Sequence, residues 1–105
     1  MNIAERIRQA DLNRNRVADL ELNGENIPIE VRVYSIREFQ KLVDRFSAEP
    51  DEKTAEFLAQ QFTDPATGEQ AFTGNDLMGL SLVVWKKLIE LLGAVNRGEF
   101  EQKKS

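Results

Sequence analysis

The chain has 105 residues, a net charge of −4 and a pI near 4.9, and it contains neither cysteine nor histidine. This length predicts a single domain with one core. Without the two residue types, the chain has no disulfide framework, no thiolate or imidazole metal ligand and no histidine general base. We therefore expect a protein that is not an enzyme and that needs no cofactor, metal ion or small-molecule substrate.

The charge and the apolar runs also limit the partners. An acidic chain lacks the concentrated basic surface that nucleic acid requires. No apolar run approaches the ~20 residues of a membrane span, and no signal-type segment is present. The sequence therefore predicts a cytoplasmic protein that contacts neither nucleic acid nor membrane.

The first element is a short amphipathic helix over residues 2–10. Ile3 and Ile7 lie four residues apart, and Asn2 is a suitable N-cap. Arginines occur nearby, but Glu5 and Asp11 lie among them. We interpret this segment as a solvated helix rather than as a nucleic-acid contact.

Residues 17–34 alternate between apolar and polar side chains around the dipeptide Asn23-Gly24, which predicts a β-hairpin. Pro28 has no N–H to donate, so the second strand has a free side there or begins just after it. A hairpin is marginal alone and needs a helix against its apolar face. That face is expected to pack on Phe39 and Phe46, and its residues are Ile27, Ile29, Val31 and Val33.

Two helices follow the hairpin. Ser35 and Glu38 form a capping box that starts the first helix, and Asp51 and Glu52 follow Pro50 at the start of the second. The first helix has the apolar stripe Ile36, Phe39, Leu42, Val43 and Phe46, and the second has the stripe Ala55, Leu58, Ala59 and Phe62. Phe57 lies off the second stripe and is either exposed or packed under the hairpin.

Residues 64–68 form a turn, since Pro presets φ and Gly accepts a left-handed conformation. The acidic residues of this loop are too few and wrongly spaced for a calcium site. Thr73 or Asn75 then caps one long apolar helix.

This last helix carries two apolar rows. The core-facing row is Leu77, Leu80, Val84, Leu88, Leu91 and Val95; the second is Leu82, Trp85, Ile89 and Leu92. Together they cover about half of the circumference, more than the ~100° stripe of a surface helix. Either the helix is central and covered on both sides, or the second row is left for a partner. The candidate partner-binding residues are therefore Leu82, Trp85, Ile89, Leu92 and Phe57.

The predicted architecture is a mainly helical α+β domain over residues 1–96, with four to five helices and one β-hairpin. Residues 97–105 form a charged tail that we expect to be flexible.

Several residues along positions 17–96 occur in a characteristic order. The pattern V-R-x-x-S-x-x-E follows the hairpin, and the pattern D-x-x-x-G-x-x-x-F-T precedes an Asp-Leu helix start and a Leu-rich helix that ends on Asn. The matching residues are Val31, Arg32, Ser35, Glu38, Asp64, Gly68, Phe72, Thr73, Asp76, Leu77 and Asn96. This ordered set resembles the tail assembly chaperones of long-tailed bacteriophages and prophages.

The resemblance implies a non-catalytic function in viral morphogenesis. Such chaperones bind the coiled-coil-rich tape-measure protein, keep it soluble and recruit tail-tube subunits. They act in the cytoplasm of the host cell, self-associate along the client and are absent from the finished virion. An alternative from a different class is a small bacterial adaptor or antitoxin-like protein-binding module, which would have the same composition.

Overall fold

The computed structural model describes residues 2–11, 15–46 and 50–98. They form an α+β fold, as predicted, but the sheet has three strands rather than the two of a hairpin. The helices are α1 (Ile3–Ala10), α2 (Ile36–Phe46), α3 (Glu52–Ala59), α4 (Gly74–Met78) and α5 (Leu82–Asn96). The strands are β1 (Arg16–Leu22), β2 (Glu25–Val31) and β3 (Phe62–Thr63). Most of the predicted charged tail, residues 99–105, lies outside the described residues.

The predicted hairpin is confirmed. β1 and β2 pair antiparallel and are joined by Asn23 and Gly24, which have φ angles of 50° and 83°. Glycine and asparagine adopt these positive angles most readily, so the turn chemistry sets the register. β2 pairs with β3 only at Glu30 and Val31, so at Pro28 it has a neighbouring strand on one side alone, as predicted.

The third strand was not predicted. Phe62 is fully buried, as its place in the apolar stripe implies, but α3 ends at Ala59 and Phe62 pairs with Val31 in the sheet. The strand has two residues, which is too short for alternation to indicate it. The loop after it closes back on the strand, where the amide of Ala71 donates to the Phe62 carbonyl.

The predicted starts of α2 and α3 are confirmed by their side-chain caps. The Glu38 amide donates to Ser35 Oγ at 3.2 Å, and the Thr54 amide donates to Asp51 Oδ1 at 2.8 Å. The amide and hydroxyl of Thr54 also hold the pKa of the Asp51 carboxyl below its usual value. Local capping chemistry therefore places both helices along the chain.

The prediction of one long closing helix is wrong, because α4 and α5 are separate. Thr73, one of the two predicted N-caps, caps α4 in a capping box with Asp76. This helix, however, ends after little more than one turn, at Gly79. Ser81 then has extended backbone angles and starts α5. The break turns Leu80, assigned to the core-facing row, out of the core to an exposed position.

The core surrounds α5. β1 lies along one side of this helix, where Lys87 Nζ donates to the Glu21 carbonyl at 3.0 Å. The hairpin was expected to pack on Phe39 and Phe46, whereas in the structure β1 lies against α5 and the Phe46 ring contacts Trp85 and Phe57. The buried apolar residues are Ala18, Leu20, Ile29, Val31, Leu42, Phe46, Ala55, Leu58, Ala59, Phe62, Leu77, Trp85, Leu88, Leu92 and Val95.

α4 packs closely on α3, with the backbone of Gly74 against that of Glu56. A Cβ atom added to Gly74 would lie 2.6 Å from the Cα and the amide nitrogen of Glu56. No side chain fits at this position, so a glycine is required by packing and not by its φ angle.

We therefore expect Gly74→Ala to separate α3 from α4 and to lower the free energy of unfolding by about 1–3 kcal/mol, the usual cost of overpacking. Urea unfolding followed by circular dichroism measures this change. Gly79→Ala is the matched control, because its Cβ would meet the carbonyl oxygens of Asp76 and Asn75 at ordinary contact distances of 3.5 and 4.0 Å. Equal stability of the two variants would contradict the close contact.

Candidate protein-binding groove

An open apolar groove runs between α2 and α5. The two helices are antiparallel: the ring of Phe46, at the end of α2, lies 6.4 Å from that of Trp85 near the start of α5, and Tyr34, just before α2, bonds Asn96 at the end of α5. The groove has a volume of about 340 Å³. Its lining residues are Phe39, Leu42, Val43, Phe46, Ile89, Glu90, Leu92, Gly93 and Arg97.

Both edges of the groove carry aliphatic side chains. On α2, Val43 lines the groove and is 51% exposed, and Ile36 is 83% exposed. On α5, Ile89 lines the groove and Leu82 is 54% exposed. In each pair the residues are seven apart, so they lie within about 20° of each other around the helix. Ile36 and Leu82 do not line the groove, but they continue the helix sides on which Val43 and Ile89 lie for two further turns.

The structure places the predicted partner-binding residues in three settings. Trp85 and Leu92 are buried in the core, as the interpretation of a central helix requires. Ile89 is half-buried at the edge of the groove, and Leu82 is exposed further along the same edge. The second apolar row is thus part core and part groove edge; its binding of a partner stays a prediction.

Phe57, the fifth predicted residue, does not line the groove but packs on Phe46, which does. Its ring stacks on that of Phe46 at 5.6 Å, and the guanidinium carbon of Arg45 lies 3.9 Å from the ring centroid. Phe57 is half-buried against α2 and is neither fully exposed nor packed under the hairpin. Aromatic pairs add about 0.5–1.5 kcal/mol beyond area burial, so this contact holds α3 to the end of α2.

The sequence did not identify the α2 edge of the groove as part of a binding site. Ile36 and Val43 fit the apolar stripe of α2, so the pattern assigned them to the core. Only the packing angle of α2 on α5 shows that the stripe is wider than the surface it covers. The sequence offered one signal of this edge: both helices have more apolar residues than a ~100° stripe contains.

Gly93 leaves room on the α5 side of the groove. A glycine inside a helix costs about 1 kcal/mol relative to alanine, so its position needs a reason. A Cβ at Gly93 would meet only Arg97 Nη1, at 2.8 Å, which is the mobile end of a long side chain. The missing side chain therefore leaves room for the Arg97 guanidinium, which makes this end of the groove polar.

Asn96 fixes the other end of the groove. Its Oδ1 accepts from the Tyr34 amide at 2.7 Å, and its Nδ2 donates to the carbonyls of Arg32 at 3.1 Å and Leu92 at 2.9 Å. The side chain thus binds the backbone between β2 and α2 in the way a neighbouring strand would. This contact joins the last turn of α5 to the segment that leads into α2.

A second side-chain pair supports the same segment. The Tyr34 hydroxyl donates to Gln61 Oε1, and Gln61 Nε2 donates to the Phe57 carbonyl at 2.8 Å. Gln61 is buried, and its own carbonyl accepts from the Arg32 amide at 3.0 Å. Burial raises the pKa of the Tyr34 phenol, against the opposing effects of the Arg32 guanidinium and the Gln61 hydrogen bond.

Another apolar recess lies between the hairpin, the loop after β3 and the first turn of α5. It has a volume of about 440 Å³, and Ile27 and Leu80 are exposed at its rim. None of the five predicted partner-binding residues lines it. Unlike the α2–α5 groove, it has a helix on one side only and so offers no trough for a helical ligand.

Two other kinds of site were not found in residues 2–11, 15–46 and 50–98. No three acidic side chains there come close enough together to hold a metal ion, and no helix there is long and apolar enough to cross a membrane. No protein-family model, curated protein or solved structure matches this chain.

Asn96→Ala removes three hydrogen bonds and leaves the Tyr34 amide unpaired. Because each such bond contributes about 0.5–1.5 kcal/mol, we expect the free energy of unfolding to fall by about 2–3 kcal/mol. Urea unfolding measures the loss, and Asn75→Ala, at an exposed helical asparagine, serves as the control. Similar stability of the two variants would show that Asn96 does not hold the segment.

Tyr34 is the only tyrosine, so its ionisation can be followed alone by the absorbance of the phenolate. We expect its folded-state pKa to lie above the ordinary value near 10. Because the folded state keeps the proton more tightly, the associated stability is complete below pH 10 and is lost as the pH rises through the folded pKa.

The stability of Tyr34→Phe should therefore fall less steeply above pH 10 than that of the wild type. At neutral pH this variant should be less stable by about 1–2 kcal/mol, since Gln61 Oε1 loses its donor. Urea unfolding across this pH range tests both statements. A measured pKa at or below the ordinary value would contradict the burial of the phenol.

Proposed function

We propose that this protein is a tail assembly chaperone of a long-tailed phage or prophage. It has no catalytic activity, and it binds amphipathic helical segments of the tape-measure protein in the α2–α5 groove. By covering their apolar faces it keeps the tape-measure protein soluble, and it helps to recruit tail-tube subunits. The groove is the single observation that carries this proposal.

The dimensions of the groove suit a client with heptad repeats. Amphipathic helices dock in apolar grooves through anchors at i, i+3, i+4 and i+7. Along each edge the two aliphatic residues are seven positions apart, which is about 10.5 Å at 1.5 Å per residue. Apolar residues one heptad apart on a client helix have the same spacing, so successive repeats meet successive aliphatic side chains.

The residues behind the family resemblance support the proposal because some of them cap or attach the helices beside the groove, although none of them lines it. Asn96 bonds the carbonyl of Arg32, which stands in the V-R-x-x-S-x-x-E pattern. Ser35 and Glu38 of that pattern cap α2, and Thr73 caps α4 ahead of α5. The pattern thus marks the attachment of the two groove helices, although its members are distant in sequence.

The location follows from the function. A chaperone that holds a tape-measure protein before the tail tube closes around it acts in the cytoplasm of the host cell and is not retained in the virion. The acidic net charge of −4 favours this role, because like charge keeps the complexes apart in solution while the groove stays apolar.

The proposal predicts that charge at the groove edge abolishes client capture. Val43→Asp and Ile89→Asp place a carboxylate where an apolar helix face would dock, so we expect binding of the tape-measure protein to fall at least tenfold. Co-expression with the tape-measure protein of the same phage, followed by affinity capture and a solubility measurement, provides the readout. Trp85→Asp is unsuitable, because Trp85 is buried and the variant is expected to unfold.

Ile27→Asp is the matched control, since Ile27 is a comparably exposed aliphatic residue at the other recess. It should capture the client like the wild type. If Val43→Asp remains folded by circular dichroism and captures as much client as the wild type, the groove is not the client site. If the wild type captures no tape-measure protein and a different small protein from the same operon binds, an adaptor function replaces the proposal.

A further inference from the structure

α1 has an apolar strip that the rest of the described chain does not cover. Ile3 and Ile7 are 74% and 64% exposed, and no residue of the helix is buried. At 100° per residue, Ala10 lies on the same side as these isoleucines, while Glu5 points the opposite way. The helix is well capped by Asn2, whose Oδ1 accepts from the Glu5 amide at 2.8 Å. α1 is therefore a formed amphipathic helix without a packing surface.

The strip of α1 and the α2–α5 groove are similar in length, and their borders offer one pair of opposite charges. The helix Ile3–Ala10 and the α2 wall from Phe39 to Phe46 both have eight residues, which span about 12 Å at 1.5 Å per residue. A narrow strip with one isoleucine per turn fits between two helices better than on a flat surface. Arg6 borders the strip, and the groove is lined by one acidic residue, Glu90, and one basic residue, Arg97, so Glu90 is the groove residue that can pair with Arg6.

The topology separates α1 from the groove of its own chain. α1 precedes β1, and β1 lies on the side of α5 formed by Lys87, Leu91 and Ala94. The groove lies on the other side of α5, at Ile89 and Gly93. β1 and the groove therefore lie on opposite sides of α5, so α1 reaches the groove of its own chain only by passing the end of this helix. The α1 of a second copy meets no such obstacle.

We propose that the α2–α5 groove binds α1 of a second copy of this chain. The contact is heterologous, so each copy offers one helix and one groove, and the association continues from copy to copy. An eight-residue helix buries far less than the ~1,600 Å² of a standard stable interface, so each contact is weak and reversible. In the absence of client, α1 covers the apolar groove.

This inference deepens the proposed function, and its second consequence rests on that function. A tape-measure helix uses the same groove, so the client and α1 bind in competition. The client has the advantage because its heptads extend over more of the two groove edges than α1 can. Self-association through α1 should then decrease as client is added.

Disulfide trapping tests the contact, because the chain has no cysteine of its own. Ile7→Cys places one thiol on the α1 strip, and Val43→Cys places one on the groove edge. Both positions are exposed, so neither variant is expected to affect folding. Under mild oxidation a mixture of the two full-length variants, one carrying a size tag, should give the mixed disulfide dimer. Glu5→Cys with Val43→Cys is the control and should give at least fivefold less.

The double variant Ile7→Cys, Val43→Cys identifies the source of the helix. A ladder of cross-linked copies that grows with protein concentration supports docking between copies. A cross-linked monomer whose yield is independent of concentration would place α1 in its own groove and overturn the proposal. Equal yields from the Ile7→Cys and Glu5→Cys mixtures would overturn it as well, because the contact would then have no preferred face.

Failure of this inference can be told apart from failure of the proposed function. The trapping experiment contains no client, so a mixed dimer supports the α1 contact even if no tape-measure protein binds. Client capture without any specific mixed dimer removes the α1 contact and leaves the chaperone function in place. Where both occur, added client should reduce the mixed dimer, and an undiminished yield with client bound would overturn the competition for one groove.

Discussion

The hydrogen bonds of Asn96 are the constraint on which the groove depends. The chain leaves β2 after Val31 with backbone groups that no further strand of the described part pairs, and a side-chain amide supplies one donor and one acceptor to them. This contact ties the start of α2 to the end of α5. The Phe46–Trp85 contact ties the opposite ends. Because α2 and α5 are attached to each other at both ends, their middle turns cannot move closer, and the space between them stays open.

The small size of the domain explains why the open space is apolar. In a chain of this length the core is limited, and here α5 already packs on β1 on one side and on α2 on the other. No remaining element of the described chain covers the edges formed by Ile36, Val43 and Leu82, which are exposed. The buried polar side chains, in contrast, all have hydrogen-bond partners in the described part. The exposed apolar edges are therefore not the result of a loosely packed core.

The sequence predicts those parts of the fold whose cause is local. The turn at Asn23-Gly24 and the caps at Ser35, Asp51 and Thr73 each depend on groups within four residues, so a short window contains the whole interaction. β3 and the packing of α4 depend on distant partners: Val31 for Phe62, and the Glu56 backbone for Gly74. For the same reason, the sequence predicted only one of the two edges of the groove. Periodicity identified the apolar edge of α5, whereas the α2 edge exists only because of the angle at which α2 packs.

A groove of this kind suits a chaperone whose client must later be released. Its walls are held by hydrogen bonds and aromatic contacts at both ends, so little ordering is needed on binding and a few aliphatic anchors are sufficient for a weak complex. Under the proposed function, a long client with many heptads engages many copies, and the summed binding is strong although each contact is weak. Removal of one copy at a time then costs little. Under the same proposal, assembling tail-tube subunits can therefore displace the copies from the client one at a time.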